Sequence, residues 1–149
     1  MSLQDQVMQE MKQAMKAKNA VALESLRAIK SALLLLQTEK SAGAGVSEED
    51  EVKLVQKLVK QRKDSAAIYL EQGRADLAET ELAQVAVIEK FLPEQLTEDE
   101  IEKVVVETIE TTGAAGMKDM GKVMGIVSKE LAGKADGKTI SNIVRSKLS

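Results

Sequence analysis

Apolar residues recur every three or four positions along most of this chain of 149 residues, the spacing that gives an α-helix one apolar face. The first series begins at Leu3 and the second at Leu23, and a short polar joint at residues 16–19 separates them. Asn19 is a suitable amino-terminal cap for the second helix, because its side-chain oxygen can accept a free backbone N–H. The periodicity therefore predicts a helical protein.

The interior of such a protein has to be built almost entirely from aliphatic side chains. Hydrophobic residues make up 44% of the chain, yet it contains one Phe, one Tyr and no Trp. Leu, Ile, Val, Ala and Met favour helices packed on helices. We find no tandem period, so a solenoid is not indicated. We predict an all-α fold.

The amino-terminal part is expected to hold four helices, interrupted by the glycine-containing residues 42–45. Ser47 precedes three acidic residues and should cap the third helix, which Gly73 should end in a left-handed conformation. The fourth helix is expected over residues 74–91, before Pro93 disfavours helix. The apolar positions along these helices are Leu3, Val7, Met8, Met11, Met15, Leu23, Leu26, Ile29, Leu33, Leu36, Val52, Val55, Leu58, Val59, Ile68, Leu77, Leu82, Val85, Ile88 and Phe91.

Pro93 marks the predicted boundary between two domains, residues 1–92 and residues 93–149. The second domain should be a three-helix bundle whose first helix begins with a capping box of Thr97 and Glu100 and ends near Gly113. Its other helices are expected at residues 118–131 and 138–148. Their apolar positions are better explained as core than as a methionine-based ligand site. These positions are Met117, Met120, Met124, Val127, Leu131, Ile140, Ile143, Val144 and Leu148.

The absence of Cys and His removes thiol nucleophiles, imidazole bases and the usual zinc ligands. We find no serine elbow, phosphate loop or dinucleotide turn, so we predict no catalytic residues, no metal site and no cofactor. The amino terminus lacks the pattern of a secretory signal, and no apolar run approaches the roughly 20 residues of a membrane span. We therefore expect a cytoplasmic protein that does not enter a membrane.

Charge is distributed unevenly along the sequence. Residues 113–149 hold seven Lys or Arg against three Asp or Glu, whereas the preceding 112 residues hold fourteen against twenty-one. Screening beyond about 8 Å at physiological salt lets such a basic region attract polyanions although the whole chain is acidic. A merely solvated helical face is the alternative explanation.

Two glycine-containing basic blocks form the candidate site. In the first, Lys118, Lys122, Gly125 and Lys129 share one helical face. Gly121 and Gly125 each disfavour a helix by roughly 1 kcal/mol, which close approach of a phosphate backbone or of a neighbouring helix would explain.

In the second block, Gly133 can end a helix, Asp136 can cap the next one, and Gly137 can follow within the turn. The free N–H groups of the last helix, flanked by Lys134 and Lys138, would also suit an anion, although a capping Asp136 would occupy them. Arg145 extends the basic side of the last helix together with Asn142. No aromatic residue follows Phe91, so contact with a nucleic acid should be to phosphate, sugar and shape, which suits folded RNA.

Five blocks of the sequence resemble the GatB/YqeY family, in particular its stand-alone YqeY-like members. The blocks are residues 60–65 (KQRKDS), 73–79 (GRADLAE), 92–96 (LPEQL), 119–125 (DMGKVMG) and 133–137 (GKADG). The resemblance implies an all-helical protein with a small tail, and in glutamine-dependent aminoacyl-tRNA amidotransferases the related tail of the B subunit contacts tRNA. By motif, Lys118, Lys122, Lys134 and Lys138 become candidate RNA contacts. Gln84 departs from the family pattern, which often has an acid there.

The favoured function is therefore an accessory tRNA-binding protein, with tRNA and an amidotransferase or other translation-related protein as partners. Family labels attach carbon–nitrogen ligase activity with glutamine as amido donor, but the catalytic parts of the amidotransferase have no counterpart here, so we do not expect catalysis by this chain alone. Asp76, Glu79 and Glu81 are better explained as surface charges than as catalytic acids. The alternative is a helical protein-interaction adaptor that binds no RNA.

Overall fold

The computed structural model describes residues 2–40 and 45–149, and all regular secondary structure in these ranges is helical. The all-α prediction is confirmed. Contacts between residues divide the chain into two compact units, Met1–Leu92 and Pro93–Ser149. That each unit folds as an independent domain stays a prediction.

The described residues of the first unit form four α-helices, as predicted. They are α1 (Leu3–Lys16), α2 (Ala20–Glu39), α3 (Glu48–Glu71) and α4 (Ala75–Ile88), and a 3₁₀ turn at Glu89–Phe91 extends α4. The predicted interruption at residues 42–45 lies outside the described residues except for Gly45.

Local chemistry at the helix ends follows the sequence closely. The Asn19 side-chain oxygen accepts the Ala22 N–H at 3.1 Å, which caps α2. At the start of α3 the Ser47 hydroxyl accepts the Asp50 N–H, and the Asp50 carboxylate accepts the Ser47 N–H, each at 3.1 Å. Gly73 has a φ of +72°, the left-handed conformation expected of a residue that ends a helix.

Only some of the apolar residues that recur at helical spacing in the first unit are buried in its core. Its buried residues are Leu3, Val7, Ala14, Leu26, Ile29, Leu33, Val55, Val59, Val85 and Ile88. The place of Leu82 in the apolar series of the fourth helix predicts an inward position, and this prediction was wrong because Leu82 is 46% exposed. Met8, Met15 and Ile68, which belong to the apolar series of the other helices, are 43%, 54% and 53% exposed. A helix at the surface buries only the stripe that faces its neighbours, so apolar residues at the edge of that stripe stay in contact with solvent.

Gln84, noted in the sequence only as a departure from the family pattern, is buried. Its side-chain oxygen accepts the Arg62 Nε–H at 2.9 Å, and Arg62 Nη1 donates to the Leu58 carbonyl at 3.1 Å. The buried Gln84 oxygen thus has a hydrogen-bond partner, as a buried polar group requires, and this partner is the guanidinium of Arg62 on α3.

The second unit contains the predicted three helices. They are α5 (Glu98–Thr112), α6 (Met120–Glu130) and α7 (Gly137–Leu148), and a 3₁₀ turn at Met117–Asp119 leads into α6. Because this turn takes the place of the first helical turn, α6 begins two residues later than predicted. Met117 lies in it and is 46% exposed, so its assignment to the core was wrong.

The core of the second unit joins all three helices and the loop before α7. Its buried residues are Ile101, Val105, Val123, Val127, Leu131, Ala135, Ile140, Val144 and Leu148, and Met120, Met124 and Ile143 pack against them half-buried. These positions confirm most of the predicted core. Met120 and Met124 of α6 therefore pack against the core, which agrees with the prediction that they are core residues.

The ends of α5 differ in one respect from the prediction. Thr97 Oγ1 accepts the Glu100 N–H at 3.2 Å, as in a capping box. The Glu100 carboxylate then accepts the Thr97 hydroxyl at 3.2 Å, whereas the predicted box has it accept the Thr97 backbone N–H. Gly113, with a φ of +69°, ends the helix where expected.

Across the described part of the chain, no helix combines the length and apolar character that a membrane crossing needs.

Candidate nucleic-acid interface

The exposed side of α6 carries part of the predicted basic site. Lys122 and Lys129 are exposed on this helix, while Val123 and Val127 on its other side are fully buried. Lys118 is also exposed but lies in the 3₁₀ turn that precedes α6. The predicted helical face thus holds two of the three lysines, and Lys118 lies in the turn before it.

Gly121 and Gly125 leave a gap on this side. Beyond its chain neighbours and the nearby backbone of α6, a Cβ atom added to either residue would meet no atom of the described chain within 4 Å, and both residues are exposed. The neighbouring helix that would explain these glycines is thus not supplied by the described residues. What remains is an open strip of helix backbone beside lysine side chains.

The loop between α6 and α7 presents Lys134 to solvent. Leu131, Gly133 and Ala135 are buried, and the residues between them, Ala132 and Lys134, are exposed. Gly133 has a φ of +80°, which a residue with a side chain rarely adopts. Lys134 is therefore exposed between two buried neighbours.

Asp136 caps α7 and limits what that helix end can bind. Its carboxylate accepts the Lys138 N–H at 3.1 Å and the Thr139 hydroxyl at 3.2 Å. A bound anion would have to compete with this carboxylate for the donors and against its charge. The expected anion-receptive helix end is therefore already occupied, and the Lys134 and Lys138 side chains carry the basic character of this region.

On α7 the exposed Lys138 and Arg145 are seven residues apart and share one face. Asn142, predicted to lie with them, lines an open groove of about 250 Å³ together with Glu98 and Glu102 of α5. The amide thus lies at the edge of the basic face, where it borders acidic side chains.

None of the six basic residues of the candidate site forms an ion pair in the described parts of the chain. These residues are Lys118, Lys122, Lys129, Lys134, Lys138 and Arg145. Lys147 differs from them, because its Nζ lies 2.6 Å from Glu102 Oε1 on α5. Six cations of the tail remain available to an external anion, whereas the seventh is held by an internal carboxylate.

One contact near the candidate site was missed by the sequence analysis. Gln95 Nε2 donates to the carbonyl oxygens of Pro93 and Gly133, each at 2.7 Å. The Leu96 N–H donates to the Lys134 carbonyl at 2.9 Å. The only signal in the sequence was the block at residues 92–96, which carried the resemblance without indicating any contact.

Surface pairing explains Asp76, one of the two acidic residues of the 73–79 block. Arg74 Nε and Nη2 donate to the two carboxylate oxygens of Asp76 at 3.1 and 3.0 Å. The hydrogen bond from Arg74 lowers the pKa of Asp76, and the same contact raises the pKa of Arg74. A general acid requires a raised carboxyl pKa, so Asp76 is poorly suited to that role.

Comparison with known proteins identifies the family. A family model described as Yqey-like protein matches residues 4–148, nearly the whole chain. The chain belongs to the Yqey-like protein family. The GatB/YqeY resemblance of the five sequence blocks is thereby confirmed.

Three relatives show how far this family relation extends. The chain is 31% identical to Altered inheritance of mitochondria protein 41, mitochondrial, of Pyrenophora tritici-repentis over 128 residues, which cover 85% of this chain and 69% of the relative. The Clavispora lusitaniae protein of the same name is 35% identical over 83 residues, 56% of this chain and 47% of that one. A glutamyl-tRNA(Gln) amidotransferase subunit of Thermococcus gammatolerans is 37% identical over 82 residues, which cover 55% of this chain but only 12% of the subunit. The Yqey-like chain is therefore related to the tail of an amidotransferase subunit and lacks a match to most of that subunit.

Proposed function

We propose that this Yqey-like protein is an accessory tRNA-binding protein that contacts phosphates through the basic side chains of α6, of the following loop and of α7. The observation that carries the proposal is that six exposed cations of one small helical unit form no ion pair among the described residues. Lysine and arginine side chains that are not engaged internally can release counterions from a polyanion on binding.

The glycines and the relatives support the same function. Gly121 and Gly125 leave the backbone of α6 open beside Lys118 and Lys122, which suits a surface that approaches a ribose-phosphate chain closely. A relative whose name includes tRNA shares 82 aligned residues with this chain. We propose an amidotransferase or another translation-related protein as the protein partner.

The same relation bears on catalysis and on location. Since this chain aligns with only 12% of the amidotransferase subunit, we propose that it does not act as a carbon–nitrogen ligase alone. The cytoplasmic location expected from the sequence stays a prediction, and the two fungal relatives carry the word mitochondrial in their names.

Binding of unfractionated tRNA, measured by gel shift at a series of salt concentrations, tests the proposal. The wild-type chain should bind at low salt and release the tRNA steeply as salt rises. Changing Lys118, Lys122, Lys134 and Lys138 together to Ala should weaken binding at least tenfold and reduce the salt slope by about 3 to 4, if each lysine meets one phosphate.

A charge-matched control separates the site from general electrostatics. Lys12, Lys16, Lys57 and Lys90 are exposed in the first unit, so changing them together to Ala removes the same charge elsewhere. This control should leave most of the affinity intact. Absence of binding at low salt, or equal losses in the two variants, would contradict the proposal.

Exposed apolar side chains favour a second candidate, the protein-interaction adaptor. Met15, Leu35 and Leu70 are more than half exposed in the first unit. Large exposed apolar groups are frequent at protein interfaces. If the tagged protein retains a defined protein partner after nuclease treatment, and the four lysine changes leave that association intact, the adaptor function gains over RNA binding.

A further inference from the structure

The segment between the first unit and α5 contacts the basic loop before α7. Residues 93–97 form no regular secondary structure, yet they hydrogen-bond across a sequence separation of 38 residues to the loop that holds Lys134. Leu96 packs half-buried against the core of the second unit, and its N–H donates to the Lys134 carbonyl. The segment is thus anchored in the core and paired with the loop.

Gln95 makes this contact with a donor that few other side chains supply. Its Nε2 lies 2.7 Å from two carbonyl oxygens, those of Pro93 and Gly133. The amide nitrogen has two hydrogens, so it can donate to both carbonyls at once. An acceptor at the same place would face two carbonyl oxygens and repel them.

The backbone of Lys134 is held from both sides by this arrangement. Its N–H donates to the Leu131 carbonyl at 2.9 Å, and its carbonyl accepts the Leu96 N–H at the same distance. The residue before it, Gly133, accepts from Gln95. A lysine in a loop ordinarily loses backbone freedom when it binds an anion, and a loop that is already fixed avoids part of that loss.

We propose that Gln95 is a positioning residue of the RNA-binding surface, which fixes the loop so that Lys134 is held ready for a phosphate. The inference rests on the proposed function and assigns to Gln95 a part in it without direct contact to RNA. Lys134 makes the contact, and Gln95 acts only through Lys134.

A double-mutant cycle on the full chain tests the inference, with unfractionated tRNA as the probe at low salt. Gln95→Ala should weaken binding about threefold to tenfold, the range set by the loss of one or two net hydrogen bonds. Combined with Lys134→Ala, the same change should have no further effect, because the residue through which it acts is gone. An equal effect of Gln95→Ala in both backgrounds would overturn the inference.

Two controls separate positioning from stability. Gln61→Ala removes an exposed amide from α3 and should leave tRNA affinity unchanged. In Gln95→Ala the Leu96 amide should exchange faster with solvent, while the unfolding temperature of the chain should fall by only a few degrees, as the loss of one or two net hydrogen bonds implies. Unchanged exchange at Leu96, or wild-type affinity of Gln95→Ala, overturns the role of Gln95 and leaves the proposed function standing. A wild-type chain that fails to bind tRNA overturns both.

Discussion

The helices α5 and α6 lie in the same small unit and share one core, but they differ in how they begin and in the residues on their exposed sides. The start of α5 has a Thr97 cap and three acidic residues in its first turn, and its end has a left-handed Gly113. Side-chain oxygens and negative charge at a helix start, and glycine after its end, each stabilise the helix itself.

The start of α6 has none of these features. No side chain caps it in the described structure, its first turn contains no acidic residue, and a 3₁₀ turn leads into it. Two glycines, Gly121 and Gly125, then lie inside it where no neighbouring atom requires them.

The residues of the two helices have different physical explanations. Each residue choice at the ends of α5 is explained by the stability of that helix. The choices in α6 oppose its stability on the side that carries Lys122 and Lys129, and departures of this kind are expected where a surface serves binding. The comparison therefore supports the proposal that α6, and not α5, is the part of the unit that meets a partner.

Filling the gap on α6 gives the largest expected change in stability. Changing Gly121 and Gly125 together to Ala should raise the free energy of unfolding by about 1 to 2 kcal/mol, since each glycine disfavours a helix by roughly 0.5 to 1 kcal/mol relative to alanine. Beyond chain neighbours and the nearby backbone of α6, the added methyl groups meet no atom of the described chain within 4 Å, so no clash offsets the gain. Urea unfolding measures the gain, and gel shift should show weaker tRNA binding.

Thr111→Ala on α5 is the matched control. Thr111 is exposed, and alanine favours a helix over threonine by up to about 0.7 kcal/mol. This change should also raise stability but leave tRNA affinity unaltered. If the double glycine variant binds tRNA as well as the wild type does, the gap has no part in binding and the contrast between the helices loses its functional meaning.

Sequence reasoning predicted the helices well because their boundaries are set locally. Asn19, Ser47 and Gly113 each act on backbone groups within a few residues, so their roles can be inferred without knowing the fold. It failed for Leu82, because the width of the buried stripe depends on how many helices pack against it. A sequence pattern contains no direct measure of that number.

The candidate site divides in the same way. The basic residues and glycines of α6 could be selected from spacing, since a helix places residues four apart on one side. The pairing of Gln95 with Gly133 could not be selected, because it joins two irregular segments 38 residues apart whose conformations are set by the core between them. The sequence already indicated that Asp136 could cap α7 and so compete with an anion there. The structure shows the contact, a hydrogen bond from the Lys138 N–H to the Asp136 carboxylate.

A pair of identical substitutions sharpens the comparison within α5. Thr97→Ala should lower the free energy of unfolding by about 1 kcal/mol, because the Glu100 N–H loses the oxygen that accepts it. Thr111→Ala, the same chemical change inside the same helix, should have the opposite sign. Urea unfolding of both variants measures the difference. Equal effects would show that capping does not explain the residues at the start of α5.

The smallest expected effect concerns α3, which resembles α5 in its capped and acidic start. The hydrogen bond from the Ser47 N–H, with a smaller contribution from Lys40, lowers the pKa of Asp50 from 3.8 to about 2. A carboxyl whose pKa is depressed in the folded state stabilises the fold above its ordinary pKa, and this contribution is lost as the group is protonated. Stability should therefore fall as the pH drops from about 4 towards 2, and part of that fall should be absent in Asp50→Asn.

Urea unfolding at a series of pH values measures the pH dependence that Asp50 causes. Lys40→Ala shows how much of it comes from Lys40 and how much from the Ser47 N–H. Lys40 Nζ lies 3.0 Å from Asp50 Oδ2, but the hydrogen bond from the Ser47 N–H has the larger influence on the pKa. Lys40→Ala should thus retain most of the pH dependence that Asp50→Asn removes. If Lys40→Ala removes all of it, the ion pair and not the capping box holds Asp50 in its charged form, and the likeness between the starts of α3 and α5 fails.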